Sequence, residues 1–161
     1  RRIKIFFNSK EIPVIDYYYR AFGKIIGKKP NVFTSKSVVI IQVHSKEFCD
    51  FILSYVVFGK RKVQTIELKD KSLLRSVVFT KGFLRGLIDS DGYVRKGRKE
   101  IYYGSISQHL FNDFLTGLNL FNFQYKTYVQ IRKGCCNFYK VRLSGHEVNR
   151  FINIIKPIKG L

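Results

Sequence analysis

Acidic residues are scarce in this chain: Asp and Glu total 11 against 30 Lys and Arg, a formal net charge of +19 over 161 residues. An excess that large in so short a chain asks for a polyanionic partner. No apolar run of roughly eighteen residues and no signal peptide occurs, so no segment reads as membrane-spanning, and anionic membrane is the weaker rival for that polyanion. Cysteine is sparse too. Cys135 and Cys136 are adjacent, Cys49 is distant, and no C-x-x-C pair suggests zinc, which fits an intracellular protein. His44, His109 and His146 fall in no ligand spacing. Nor does any Ser-His or Cys-His constellation suggest a covalent intermediate. The first residue is Arg1 rather than methionine, which raises the expectation that the natural N-terminus lies outside the sequence.

What the chain does have is concentrated in residues 83–92, Phe-Leu-Arg-Gly-Leu-Ile-Asp-Ser-Asp-Gly. The window begins as an apolar helix and ends in Asp89, Ser90, Asp91 and Gly92. Two acids where an apolar helix stops are costly unless a cation or a set of donors receives them. Mg²⁺ is commonly held by one or two carboxylates together with substrate phosphates. An ordinary core helix closing in an Asp-Gly turn is the alternative.

The longer string decides between them. Residues 84–92, Leu84-Arg85-Gly86-Leu87-Ile88-Asp89-Ser90-Asp91-Gly92, resemble the signature of the LAGLIDADG homing endonucleases, departing only at Arg85 and Ser90. The resemblance is to the single-motif type encoded within an intron or intein. It implies an α+β fold, αββαββα, with the motif helix at a dimer interface and an antiparallel sheet saddle on DNA. It also implies that the last acid of each of two packed helices serves a divalent metal at the scissile phosphates.

Taken in order, Ile3–Asn8 reads as a strand, and Ser9 as the N-cap of a helix through Ile26, with Pro13 tolerated in its first turn. Gly27 ends that helix. Val32–Phe33 and Val38–Val43 read as a hairpin, and Ser45 as the cap of a helix over 47–58. A polar connection runs through Lys71. After the motif, 93–98 and 101–107 form a hairpin, 108–121 a helix, and 125–132 with 138–143 a second hairpin. Ser144-Gly145-His146-Glu147 reads as a capping box for the last helix. The domains expected are 1–72, a strand-α-β-β-α extension, and 73–161, the αββαββα core.

The extension looks like a second half-copy. Ser9 matches Ser107 and Ser45 matches Ser144, at offsets of 98 and 99, which carries the counterpart of Asp91 to before residue 1. Two architectures follow: two chains pairing their single motif helices, or a monomer whose first motif is missing. The homodimer is favoured, with Leu84, Gly86, Leu87 and Ile88 at its interface and a pseudo-palindromic target.

Alternation along the strands sets Val94 and Ile106 toward the core and Tyr93, Arg95, Tyr103, Ser105 and Ser107 on the other face. In the second hairpin Lys126, Tyr128, Gln130 and Arg132 share a face, and Lys140 and Arg142 point outward from the returning strand. Cations interleaved with Tyr and Gln suit major-groove readout.

For the chemistry, Asp91 is the expected metal ligand and Gly92 lets a backbone carbonyl approach the cation. Asp89 is expected to be structural, receiving backbone donors. The resemblance implies a polar residue after the second strand that orders water, the place held by Gln108, with Asn112 one turn on. It also implies a lysine near the end of the last helix, for which Lys159 comes first and Lys156 second. The whole reads as a site-specific endonuclease making a double-strand break with Mg²⁺, or with Mn²⁺ or Ca²⁺ bound in its place. Its setting would be prokaryotic cytoplasm or an organelle. An RNA maturase or a DNA-binding regulator of the same fold without cleavage is the alternative.

Overall fold

Alternating apolar residues on β1 (Arg2–Asn8) put Ile3, Ile5 and Phe7 on one side of a sheet, with Arg2, Lys4 and Phe6 on the other. In the computed structural model, which describes all residues except 58, 96, 98, 132, 133, 160 and 161 and the side chain of residue 62, β1 is followed by α1 (Ile12–Ile26), β2 (Asn31–Ser35), β3 (Val38–His44) and α2 (Lys46–Tyr55). The three strands pair antiparallel in the order β1-β3-β2. Phe7, Val14, Val39, Ile41, Val43, Phe48 and Cys49 are buried beneath them.

Two helix starts differ in outcome. α1 begins at Ile12 rather than after Ser9, because the Ser9 N–H donates to the Ser37 carbonyl at 2.8 Å and so belongs to the turn. Ser45 does cap α2, its Oγ accepting from the Phe48 N–H at 3.0 Å. That helix stops at Tyr55, three residues short of expectation, as the chain extends into β4 (Val56–Val57).

The polar connection expected through Lys71 is structured. It comprises β4, α3 (Lys62–Thr65), β5 (Glu67–Leu68) and a 3-10 turn, Lys71–Arg75. The compact units are accordingly 1–54 and 55–161, not 1–72 and 73–161. The physical reason is Asp113, only 4% exposed, which accepts from the Leu68 N–H at 2.9 Å and holds Lys71 Nζ at 2.7 Å. Burial pulls the Lys71 ammonium down, but hydrogen bonds to Asp113 and Glu67 outweigh it and leave its pKa raised. Ser107 adds a bond of 2.6 Å from its Oγ to the Ile66 carbonyl.

The second unit continues with α4 (Val77–Asp91), β6 (Tyr93–Arg95), β7 (Glu100–Ser105), α5 (Gln108–Leu120), β8 (Lys126–Gln130), β9 (Phe138–Ser144) and α6 (His146–Ile155). This is αββαββα. Its four strands form one antiparallel sheet, order β6-β7-β9-β8. Leu84, Ile88, Ile101, Phe114, Leu118, Val141, Leu143 and Phe151, all 0% exposed, fill the core. Gly117 lets α5 approach α4 closely, since a Cβ there would lie 3.0 Å from Leu84 Cδ2 and 3.1 Å from Thr80 Cγ2.

The capping box at α6 does not form. Ser144 is the last residue of β9, and the N-cap position falls on Gly145 (φ 64°), which has no side chain to cap with. Glu147 is buried instead, 2.9 Å from Arg150 Nη1. Arg150 also donates to the carbonyls of Phe121 and Asn122 at the end of α5, so the pair ties two helices together.

The repeat is visible in both order and pairing. β1-α1-β2-β3-α2 and β7-α5-β8-β9-α6 run through the same elements, and their strands pair as β1-β3-β2 and β7-β9-β8. The second unit alone carries a helix and a strand, α4 and β6, ahead of that set. Among the described residues, no helix is long and apolar enough to cross a membrane.

Candidate active site

α4 is capped at its start by Ser76, whose Oγ accepts from the Phe79 N–H at 3.4 Å, and it ends where the motif ends. The Gly92 N–H donates to the carbonyls of Leu87 and Ile88 at 3.1 and 3.0 Å. A Cβ on Gly92 would fall 2.6 Å from both the Cα and the carbonyl oxygen of Ile88. The glycine is therefore required by the helix's own last turn, a reason the sequence did not disclose.

The two motif acids separate completely. Asp89 is 0% exposed, and its Oδ1 accepts from the N–H groups of Ile158 and Lys159 at 2.8 and 2.9 Å. Its Oδ2 faces Arg85 Nε at 3.7 Å. Asp91 is exposed, with Ser90 Oγ at 3.4 Å. The anchoring of Asp89 also brings Lys159 to this end of α4, where its Nζ donates to the Ser90 carbonyl at 3.3 Å. Lys156, the second candidate, caps α6 through its backbone at φ 54°, its N–H donating to the Ile152 carbonyl.

Gln108 stands exposed at the start of α5, its Oε1 accepting from the Tyr139 hydroxyl at 3.1 Å. Asn112 offers its backbone carbonyl to Thr116 Oγ1. The field of Asp91 reaches the buried Tyr103 hydroxyl, whose pKa is pushed up first by burial and then by that charge. No group of three or more His, Cys, Asp or Glu that could hold a metal ion occurs among the described residues. The three histidines lie elsewhere: His44 against Gln42, His109 near Glu67 and His146 on Glu147.

Gly92 leads straight into the sheet. Tyr93 pairs with Tyr102, Tyr102 with Arg142, and Arg142 with Lys126, so one row crosses all four strands on the face away from the helices. The next row is Gly104, Lys140 and Tyr128. Phe138 pairs with Gln130 in the row beyond, and Arg95 with Glu100 at the other end. Lys140 Nζ lies 5.2 Å from the Phe138 ring, and the Arg142 guanidinium 5.9 Å from that of Tyr128. Arg142 also approaches Glu100 at 3.5 Å. Its pKa is raised, by the Tyr102 hydroxyl first and then by Tyr128.

Three sequence expectations need correction. Tyr103 and Ser105 are on the core side: Tyr103 is 2% exposed and stacks on Phe114 at 4.2 Å. The slip came from using Ile106 as the inward marker, but β7 ends at Ser105, and Ile101, at 0% exposed, is the residue that points in. A shift of one residue exchanges every side chain between faces. Tyr102 and Phe138 therefore join the outward set, and both could have been found by anchoring the alternation on Ile101. Ser107 is a buried N-cap, its Oγ accepting from the Leu110 N–H at 3.2 Å.

The proposed dimer interface also changes. Leu84 and Ile88 are wholly inside their own core and unavailable to a second helix, and Leu87 packs half-buried against that core. The open stripe of α4 is Val78, 83% exposed, then Gly82 and half-buried Gly86. Arg132 lies outside the described residues.

Residues 79–156 match the LAGLIDADG-like domain family. In structure, the chain is similar to mesophilic variants of the homing endonuclease I-DmoI, with a TM-score of 0.72 at 14% identity, covering 96% of this chain and 79% of that one. It is similar to I-DmoI in complex with DNA and Mn, TM-score 0.68 at 14% identity, over 96% and 80% of the two chains. The complex with DNA and Ca gives 0.66 at 14%, over 96% and 74%. Residues 79–156, which lie within the αββαββα unit, thus match a LAGLIDADG-like domain, and the chain shares the fold of I-DmoI.

Proposed function

We propose that this chain is a site-specific DNA endonuclease that hydrolyses phosphodiester bonds with a divalent cation. One observation carries the reading: the exposed carboxylate of Asp91 stands two residues before Tyr93, which opens the Tyr93–Tyr102–Arg142–Lys126 row. An acid placed beside a phosphate-binding surface weakens binding unless a cation joins it. The DNA complexes of I-DmoI with Mn and with Ca support the same reading.

The donor set fits such a cation. A single exposed hard carboxylate, completed by substrate oxygens, is a normal way to hold Mg²⁺. Asp91 and the Gly92 carbonyl would hold it, and it would supply Lewis-acid stabilisation of charge on the phosphate. The protein groups do the rest. Asp89 holds the last turn of α4 rigid. Lys159, kept beside Ser90, offers a positive charge to the pentavalent phosphate. Gln108, held by Tyr139, orders the attacking water through its amide. A binding protein without cleavage is the second reading, favoured by the single exposed motif acid.

Cutting both strands needs a second acid. The Val78–Gly82–Gly86 stripe suits a second motif helix, since its small residues allow close approach. A second copy of the chain would supply that helix, as the sequence suggested. The protein of residues 1–161 should then bind its site as two copies and cut both strands. Light scattering on the DNA complex, with products resolved under denaturing conditions, tests this. One copy per site with a single strand nicked would overturn the homodimer.

The charge sets a further expectation. With about six phosphate contacts, affinity should fall roughly a thousandfold between about 50 and 200 mM salt. A nearly flat titration of binding against salt would remove the basic face from DNA recognition.

A further inference from the structure

We infer that the outward sheet face of the first unit reads duplex DNA through the 5-methyl groups of thymines, using the row Phe6, Ile40 and Phe33. The inference rests on the DNA reading above and names what one sheet recognises.

The register makes the row. Phe6 pairs with Ile40 and Ile40 with Phe33, so three large apolar side chains stand abreast across β1, β3 and β2. They face away from the buried set Phe7, Val39, Ile41 and Val43, and so contribute nothing to that core. Phe6 is 61% exposed and Phe33 50%. Such aromatic exposure in the middle of a sheet face costs solubility and marks a binding surface.

The surroundings choose the occupant. The next row is Lys4, Gln42 and Asn31, and the one beyond it pairs Arg2 with His44. On the other side lie Asn8, Val38 and Ser35. No acid occurs in any of these rows. A second copy of this face would bring Arg2 and Lys4, which flank the apolar row on one side, toward their own images. A duplex accepts both features. Its phosphates take the cations, and its major groove admits β-strands. The thymine methyl is the apolar group on the base edges there, and it is read by apolar side chains.

The second unit supplies the contrast. At the matching place in its sheet, of the same strand order, the row is Gly104, Lys140 and Tyr128. One face therefore carries a hydrocarbon row where its counterpart carries an ammonium and a phenol. The two should prefer different bases.

The test begins with duplex DNA of randomised sequence, selected on the protein. The retained duplex is then remade with deoxyuridine in place of thymine, which deletes the methyl and leaves the pairing edge intact. Affinity should fall about fourfold for each contacted methyl. The double variant Phe6→Thr with Phe33→Thr, which keeps β-forming residues in both strands, should bind the thymine and deoxyuridine duplexes alike. Tyr128→Ala, on the other sheet, should keep the difference. Equal binding of both duplexes by the unaltered protein would overturn the inference while leaving DNA recognition standing, and needs no variant to fold. Persistence of the difference in the double variant would also overturn it. Retention of no duplex at all would take down the DNA reading and this inference together.

Discussion

Asp91→Asn is expected to abolish strand cleavage, by about a thousandfold or more, while DNA binding stays within about tenfold. The substitution keeps the side chain's shape and removes its charge, which is what a hard cation needs. Little structural cost attends it, because Asp91 is exposed and its carboxylate accepts from the Ser90 hydroxyl at 3.4 Å. Thermal unfolding should therefore be unchanged. Binding should, if anything, tighten, as a negative charge beside the phosphates is lost. Cleavage assayed at saturating Mg²⁺ is the measurement, and full activity there would remove Asp91 from the chemistry.

Asp89→Ala should do the opposite, destabilising the fold by about 3–5 kcal/mol. The carboxylate is wholly buried, takes two backbone N–H groups and faces Arg85. Alanine would strand all of those donors away from water. A loss of that size is a large share of a typical domain's total stability. Asp89→Asn keeps an oxygen for both N–H groups and loses only the charge opposite Arg85, so its cost should be smaller, about 1–3 kcal/mol. Denaturant unfolding of the three proteins gives the ranking. A midpoint for Asp89→Ala equal to that of the parent would show that the C-terminal segment is not held by this residue. The two motif acids, one residue apart, should thus fail in separable ways, one in chemistry and one in folding.

Much of this architecture was legible because long periodic segments speak plainly. The stripe of α5, the hairpins and the repeated strand-helix-strand-strand-helix order can each be read from spacing. What was hidden depended on contacts distant in sequence. Nothing local says that Asp89 receives donors from Ile158 and Lys159, or that Asp113 captures Lys71 and the Leu68 N–H and so moves the domain boundary to residue 55. Helix starts misled where the backbone around the serine was already engaged elsewhere. Ser9 lies in a turn with Ser37, and Ser144 is held in β9. The face of β7 was misassigned because one apolar residue beyond the strand's end, Ile106, was given the weight that belonged to Ile101. The packing of α4 was misread for a related reason. An apolar helix in isolation does not say which stripe meets its own domain, and Leu84 and Ile88 turned inward while Val78 and Gly82 stayed open.

The Asp89 clamp has a consequence in time. The acid and the amides that receive it are separated by 69 and 70 residues. A ribosome adding about 5–20 residues each second leaves an interval of roughly 3–14 seconds between the two. Throughout that interval the motif helix exists without the contacts that hold its last turn. Contacts so far apart also slow folding, because a long loop must close before they form. The turn bearing Asp91 is thus among the last parts of the nascent protein to take its working shape, and a polypeptide released early would carry the motif with its final turn unclamped.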